Sequence, residues 1–176
     1  MTKAASIWRV LAQHSALPDD WREQLVQRLG ERPRRVGLFA ELSLFGATAC
    51  LAQVGLKALP PQSLLRLASR SSCATATASA LAQMADGAPQ PFTFLQSQPG
   101  QSLAALSRCL RWQGDAAFLV DDALAMPASL ACHEAEGRGL LLGWVNDLPV
   151  PESRWYWLRQ SDDPALPAFD IGALRD

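Results

Sequence analysis

Histidine and cysteine are scarce in this chain of 176 residues, and what there is of them is scattered. The histidines are His14 and His133, and the cysteines are Cys50, Cys73, Cys109 and Cys132. No CxxC pair or metal-like cluster occurs, so a zinc site is not expected, nor is any other metal or cofactor. Charge is also sparse: acidic and basic residues make up 19%, against 49% hydrophobic, with a net charge of -1. That balance excludes disorder. It offers no basic patch with interleaved aromatics, so nucleic-acid binding has no support. The amino terminus lacks a charged segment followed by an apolar core and cleavage site. A cytoplasmic protein with reduced thiols is therefore expected.

What is abundant is apolar residue, more than a free-standing domain needs, and this favours an oligomer that buries extra surface. The longest apolar run, Val36 to Leu59, is interrupted by Glu41 and Gln53 and punctuated by Gly37, Gly46 and Gly55. A carboxylate at the centre of a bilayer costs about 3 kcal/mol. The run therefore reads as a helix from Val36 to Val54, ended by Gly55 and buried on several sides, and not as a membrane span.

Two helices are expected before it. Ile7, Val10 and Leu11 have helical spacing in the first, with His14 at its end. In the second, Trp21, Leu25, Val26 and Leu29 share a face, Pro18, Asp19 and Asp20 suit its start, and Gly30 marks its stop. Arg32-Pro33-Arg34-Arg35 reads as a solvated linker in preference to an anion site. After Pro60-Pro61, a strand is expected over Leu64–Ala68 and a helix over Cys73–Met84. A loop follows through Gly87, Pro89 and Pro91. Helices over Gln98–Leu110 and Ala125–Ala135 then alternate with strands over Ala116–Val120 and Leu140–Val145. Arg154–Arg159 (RWYWLR) alternates aromatic and basic residues as a last, antiparallel strand whose aromatic face is either core or contact surface. The tail beyond Ser161 is expected to be irregular. Strands alternating with helices imply an α/β domain with a mostly parallel sheet covered by helices. One domain is expected over 1–176, with a helical extension at 1–33, a core at 34–160 and a tail at 161–176.

The stretch Pro91 to Asn146 carries a resemblance. Pro91-Phe92-Thr93-Phe94 with Gln96-Ser97-Gln98, and the two apolar strands flanking an acidic turn, resemble the amino-terminal half of a β-ketoacyl synthase. The likeness covers roughly Arg35 to Arg159 and implies half of a thiolase-like fold. The short ketosynthase-like proteins of type II polyketide and aryl-polyene systems are the nearest in pattern. The family places its cysteine nucleophile at the turn between a strand and a helix, after Asp-Thr-Ala. A helix amino terminus favours a thiolate and its oxyanion there. This chain reads Val120-Asp121-Asp122-Ala123-Leu124, so the nucleophile position falls on Leu124. The resemblance also places further active-site residues, commonly histidines, in a carboxy-terminal half for which this sequence has no room. Departures are the missing opening strand and Gly143-Trp144 in place of Gly-Gly.

The resemblance implies a strand, Ala116, Ala117, Phe118, Leu119 and Val120, that pairs across a dimer axis. Phe92, Phe94, Leu95 and Phe118 would lie near that interface, although ordinary core packing accounts for the phenylalanines equally well. Gln96, Ser97 and Gln98 suit either a pantetheine amide or, preferably, a helix cap at Ser97. Three functions follow. The first is a non-catalytic subunit, similar in role to a chain-length factor. It pairs with an active ketosynthase, shapes the acyl tunnel and meets an acyl-carrier protein. The second is a homodimeric binding protein for acyl-thioesters or acyl-carrier protein. The third is a cysteine-dependent acyl transferase or hydrolase using Cys109 or Cys132, which selective alkylation at neutral pH would reveal.

Overall fold

A computed structural model describes residues 7–174. The first strand, β1, spans Ile7–His14 and is followed by α1 (Trp21–Leu29), α2 (Leu38–Ala52) and β2 (Leu64–Ser69). Then come α3 (Ala74–Ala85), α4 (Pro91–Gln96), α5 (Pro99–Cys109) and β3 (Ala116–Val120). The helix α6 (Ala125–Glu134) leads into β4 (Leu140–Asn146) and β5 (Glu152–Ser161), and a 3-10 turn closes the described chain at Ile171–Leu174.

The five strands form one sheet in the order β1-β5-β4-β2-β3. The pairs β4–β2 and β2–β3 are parallel, while β5 runs antiparallel to both β4 and β1. Four strands thus share one direction and β5 opposes them, which makes the sheet mostly parallel as expected. Alternation along the strands sends side chains to two faces. Leu65, Leu67, Leu141, Val145, Trp155 and Trp157 pack with α2 on one face. Leu64, Ala68, Leu140, Leu142, Trp144, Tyr156 and Leu158 pack with Ala128, Ala131 and Cys132 of α6 on the other. The result is three layers, helix on sheet on helix.

The helix α2 is buried along nearly its whole length, as its lack of a polar face requires. It lies against β5 and β4 because two glycines make room for one indole. A Cβ on Gly46 would come within 2.2 Å of Trp155, and one on Gly143 within 2.6 Å. At the other end of the scale, Gly30 ends α1 in the left-handed region at φ 79°, where glycine carries no Cβ penalty.

Several expectations are corrected. Residues Ile7, Val10 and Leu11 belong to a strand, not a helix, so the opening strand of the half-fold is present within the segment expected to be a helical extension. The cause is a bulge. The β1–β5 register jumps between Val10 and Ala12, leaving Leu11 as an extra residue. Val10 packs on the α6 face while Leu11 and Ala12 both pack on the α2 face, so the bulge breaks the period of two by which a strand is read. His14 therefore ends a strand, edge-on to Phe45 with ring centroids 5.3 Å apart. The part of the expected opening helix before Ile7 lies outside the described residues.

The loop expected through Pro91 is the start of α4, with proline at its first turn, where no backbone donor is lost. Ser97 consequently closes α4 and does not cap α5. Its Oγ donates to the Phe94 carbonyl at 2.7 Å, and Gln98 precedes α5 with no side-chain cap. Cys73 stands at the cap of α3 and not inside it. The tail is not wholly irregular: Val10 N–H donates to the Pro167 carbonyl at 2.9 Å, and Phe169 N–H to the Trp8 carbonyl at 2.8 Å. No helix of the described residues is long and apolar enough to cross a membrane.

Candidate functional site

The strand β3 stands at the edge of the sheet and pairs only with β2, from Leu65↔Ala116 to Ser69↔Val120. Its other backbone edge has no partner among the described residues. Ala116 and Phe118 turn toward the α2 face, where Phe118 meets Phe39 edge-on at 5.9 Å, and Leu119 turns toward the α6 face. Val120, the last residue, is 64% exposed.

The chain leaves β3 through Asp121, Asp122, Ala123 and Leu124 and enters α6. Asp121 N–H donates to the Ser69 carbonyl at 3.2 Å and extends the β2 pairing by one residue. Asp121 Oδ1 accepts from Ala123 N–H at 3.3 Å, closing a tight acidic turn. Just beyond β2, Arg70 Nε donates to the Asp122 carbonyl at 3.0 Å and ties the turn to the end of that strand. Leu124 is the residue before α6 and is 2% exposed, packed among Ala68, Ala128 and Trp144. Leu124, expected from the resemblance to stand at the nucleophile position, is thus a hydrocarbon side chain sealed in the core.

The neighbouring strand ends are held by a polar network. Asn146 Oδ1 accepts from Ser69 Oγ at 2.9 Å and from Arg70 N–H at 2.8 Å. Asn146 Nδ2 donates in turn to Glu152 Oε1 at 2.6 Å, which also accepts from the Trp144 indole at 3.0 Å. Asp147 Oδ2 accepts from Thr75 N–H at 3.1 Å at the start of α3. These contacts fix the geometry of the strand ends, and the Ser69 hydroxyl is engaged in them as both donor and acceptor. At the opposite end of β3, buried Arg66 donates to Asp115 Oδ1 at 3.0 Å and to Glu134 Oε2 at 2.7 Å, tying the strand's start to the end of α6. The Arg66 hydrogen bond holds the Asp115 carboxyl below its ordinary pKa.

The thiols are poor candidates for covalent chemistry. Burial pushes Cys50 and Cys132 up to about 12 and Cys73 up to about 11, and raises Cys109 as well. A thiolate is the reactive form, so these shifts remove it at neutral pH. His133 is exposed on α6, and burial lowers the pKa of His14, whose Nε2 is enclosed without a partner. No cluster of metal-ligating side chains exists among the described residues.

Phe92, Phe94 and Leu95 are exposed on α4, which packs against α3 and α5. It is α5 that packs against β3, so the three lie one helix away from the edge strand and do not continue it. Phe118 is separated from them by its turn into the core. The sequence reading overlooked Arg66, Arg70, Asn146 and Glu152; an arginine inside the apolar strand LLRLAS was the available signal for the first.

No protein-family model and no curated protein matches the chain. Solved structures do. A ketosynthase in complex with its chain length factor from Xenorhabdus doucetiae matches with TM-score 0.61 at 14% identity, over 89% of this chain and 80% of that one. The ishigamide ketosynthase/chain length factor matches with TM-score 0.60 at 12% identity, over 81% of this chain and 48% of that one. A type II polyketide synthase acyl-carrier protein in complex with its ketosynthase bound to the hexaketide matches with TM-score 0.62 at 9% identity, over 89% of this chain and 63% of that one. Five strands in the order β1-β5-β4-β2-β3, helices on both faces and these neighbours together establish that the chain has the α/β, thiolase-like fold of ketosynthases and chain length factors.

Proposed function

We propose that this chain is a non-catalytic ketosynthase-like subunit, one domain over 1–176, that pairs with an active β-ketoacyl synthase in type II fatty-acid or polyketide biosynthesis of the aryl-polyene kind. The observation that carries the reading is the conjunction at β3: a strand edge unpaired among the described residues leads into a turn that ends at buried Leu124, which this reading takes as the position of the missing nucleophile. An apolar edge strand is a template for another chain, and a partner satisfies its free backbone groups. The buried leucine and the high-pKa thiols support a role without covalent catalysis. In this reading Ala116–Val120 and the turn Asp121–Leu124 form the contact with the partner, and exposed Phe92, Phe94 and Leu95 supply a second contact near the acyl tunnel. The subunit limits tunnel length sterically, an acyl-carrier protein delivers the growing chain, and the complex works in the cytoplasm.

The test is affinity purification of the tagged protein from its native host, with co-purifying proteins identified by mass spectrometry. Stoichiometric recovery of a full-length ketosynthase supports the proposal. Recovery of this chain alone as a stable dimer removes the chain-length-factor analogy and leaves a homodimeric binding protein for acyl-thioesters or acyl-carrier protein. Rapid, site-selective alkylation of Cys109 or Cys132 at pH 7 would instead revive cysteine chemistry.

A further inference from the structure

A cleft of about 240 Å³ lies between the loop preceding α2, the helix α4 and the first half of α5. Arg34 and Arg35 reach it from the loop, and Arg108 reaches it from the far end of α5. Arg34, Arg35 and Arg108 are all exposed, and none of them makes an ion pair among the described residues. No carboxylate lines the cleft. The chain has no acidic residue anywhere between Asp86 and Asp115, nor between Glu31 and Glu41, and the latter is paired with Arg22 at 3.1 Å. Three cations thus share a concave surface with no local counter-charge, on a protein whose net charge is -1. Assembling them there carries a repulsion that an anion relieves.

The remaining lining is selective. The first turns of α2 and α5 both border the cleft, through Gly37 and Gln101, and neither helix has a side chain capping its amino terminus. At α5 the Gln101 N–H is taken by the Gln98 carbonyl at 3.0 Å and Pro99 has none, so it is the start of α2 whose free backbone N–H groups, with the positive dipole ends of both helices, add to the arginine field. Arg35 lies over the Phe92 ring, 5.1 Å from its centroid, which orients its guanidinium at the rim. Phe92 and Leu95 give the cleft an apolar wall.

We infer that this cleft is a binding site for a small phosphorylated molecule: a phosphoryl group held by Arg34, Arg35, Arg108 and the start of α2, with an apolar portion against Phe92 and Leu95. Guanidinium forks match phosphate oxygens in pairs, which a scattered set of lysines would not do. None of its residues belongs to β3 or its turn, while Phe92 and Leu95 are shared with the second contact proposed on α4, so the inference concerns the chain free of a partner. It also changes the reading of Arg34 and Arg35 as a solvated linker, because the fold adds Arg108 from a distant part of the sequence.

The test is titration of the isotopically labelled full chain with inorganic phosphate and with phenyl phosphate, followed through backbone amide resonances. Saturable shifts centred on Gly37 and Gln101 are expected for both ligands, with phenyl phosphate the tighter. Arg108→Gln should weaken both at least about tenfold, as loss of a charge-assisted contact does, while Arg108→Lys loses less. Leu95→Ala should remove the advantage of phenyl phosphate and spare phosphate itself. Denaturation midpoints of the variants establish that each is folded, and Arg159→Gln, an exposed arginine on β5 outside the cleft, is the control. Absence of saturable shifts at these amides overturns the inference. So does a weakening in Arg159→Gln equal to that in Arg108→Gln, which would mark diffuse attraction to a basic surface.

Discussion

The two edges of the sheet are treated differently. At the β1 edge the tail folds back: Pro167 and Phe169 exchange backbone hydrogen bonds with Val10 and Trp8, Arg9 Nη1 donates to the Leu166 carbonyl at 3.0 Å, and Phe169 packs on Tyr156 at 5.3 Å. At the β3 edge nothing in the described chain does this. Both edges carry apolar residues, so composition alone does not explain the contrast. Covering one edge with its own chain while the other stays open among the described residues supports the pairing proposed at β3, because unpaired strand edges invite uncontrolled association. The difference supports the proposed contact at β3 more directly than the exposed phenylalanines of α4 do.

The interior between the edges sets the scale against which both are judged. Gly143→Val places a side chain against Trp155, which is fully buried and hemmed in by α2. A loss of about 3 kcal/mol in folding stability is expected, read from the denaturant midpoint. A loss below about 1 kcal/mol would mean that the indole yields, and that β4 and α2 are not locked together as described.

The covered edge comes next. Phe169→Ala removes a half-buried ring from Tyr156 and loosens the tail, at an expected cost of about 1–2 kcal/mol. Faster hydrogen exchange at the Val10 amide should accompany it, since its acceptor is Pro167. Unchanged protection at Val10 would show that the tail does not guard this edge.

At the open edge, the turn after β3 can be probed through Leu124→Cys. The new thiol replaces a core leucine, so about 1–2 kcal/mol of stability is lost to missing methyl groups and the space left behind. The folded variant should resist alkylation at neutral pH, because the side chain points into the layer between sheet and α6. Fast labelling of that cysteine would show the turn to be open to substrate and would weaken the non-catalytic reading.

How far the sequence foretold this contrast depends on the edge. Over β3 the apolar run Ala116–Val120, bounded by Asp115 and Asp121, coincides with the strand, because charged residues sit where the chain leaves the sheet. The buried helix α2 was equally legible from its missing polar face. The covered edge was not. Its strand is disguised by the bulge at Leu11, which puts Leu11 and Ala12 on one face and interrupts the period of two. Its cover comes from a Pro- and Asp-rich tail whose pairing uses backbone groups, and side-chain type says little about those. The helix α4 was hidden by Pro91, which reads as a breaker unless it falls in a first turn. Meetings of distant segments, such as the ion pairs of Arg66 with Asp115 and Glu134 or the shared cleft of Arg108 with Arg34 and Arg35, leave no periodic trace at all.

A smaller effect is expected where Arg66 anchors the start of β3. The Asp115 carboxyl is held below its ordinary value of 3.8 by Arg66. A depressed folded-state pKa means that the stabilisation is complete above the unfolded-state value and is lost as pH falls through the folded one. Asp115→Asn should therefore be slightly less stable than the parent at pH 7, and the two denaturation midpoints should converge below about pH 3. The difference is modest because Asp115 is more than half exposed and solvent screens the pair. A gap that persists unchanged in acid would assign the effect to packing instead of charge.

The smallest effect on stability should come with the largest effect on assembly. Val120 is 64% exposed at the end of the open strand, so Val120→Asp removes little buried surface and should shift folding stability by no more than about 0.5 kcal/mol. Placed beside Asp121 and Asp122, the new carboxylate concentrates negative charge at the edge that a partner must approach. Burying it in an interface would leave a charge without a counter-ion, which is costly in a way that an exposed charge on a free edge is not. Co-purification with a ketosynthase should therefore drop sharply while the melting profile stays in place. If the variant retains its partner, the open edge of β3 is not where the contact is made, and the exposed face of α4 becomes the surface to dissect.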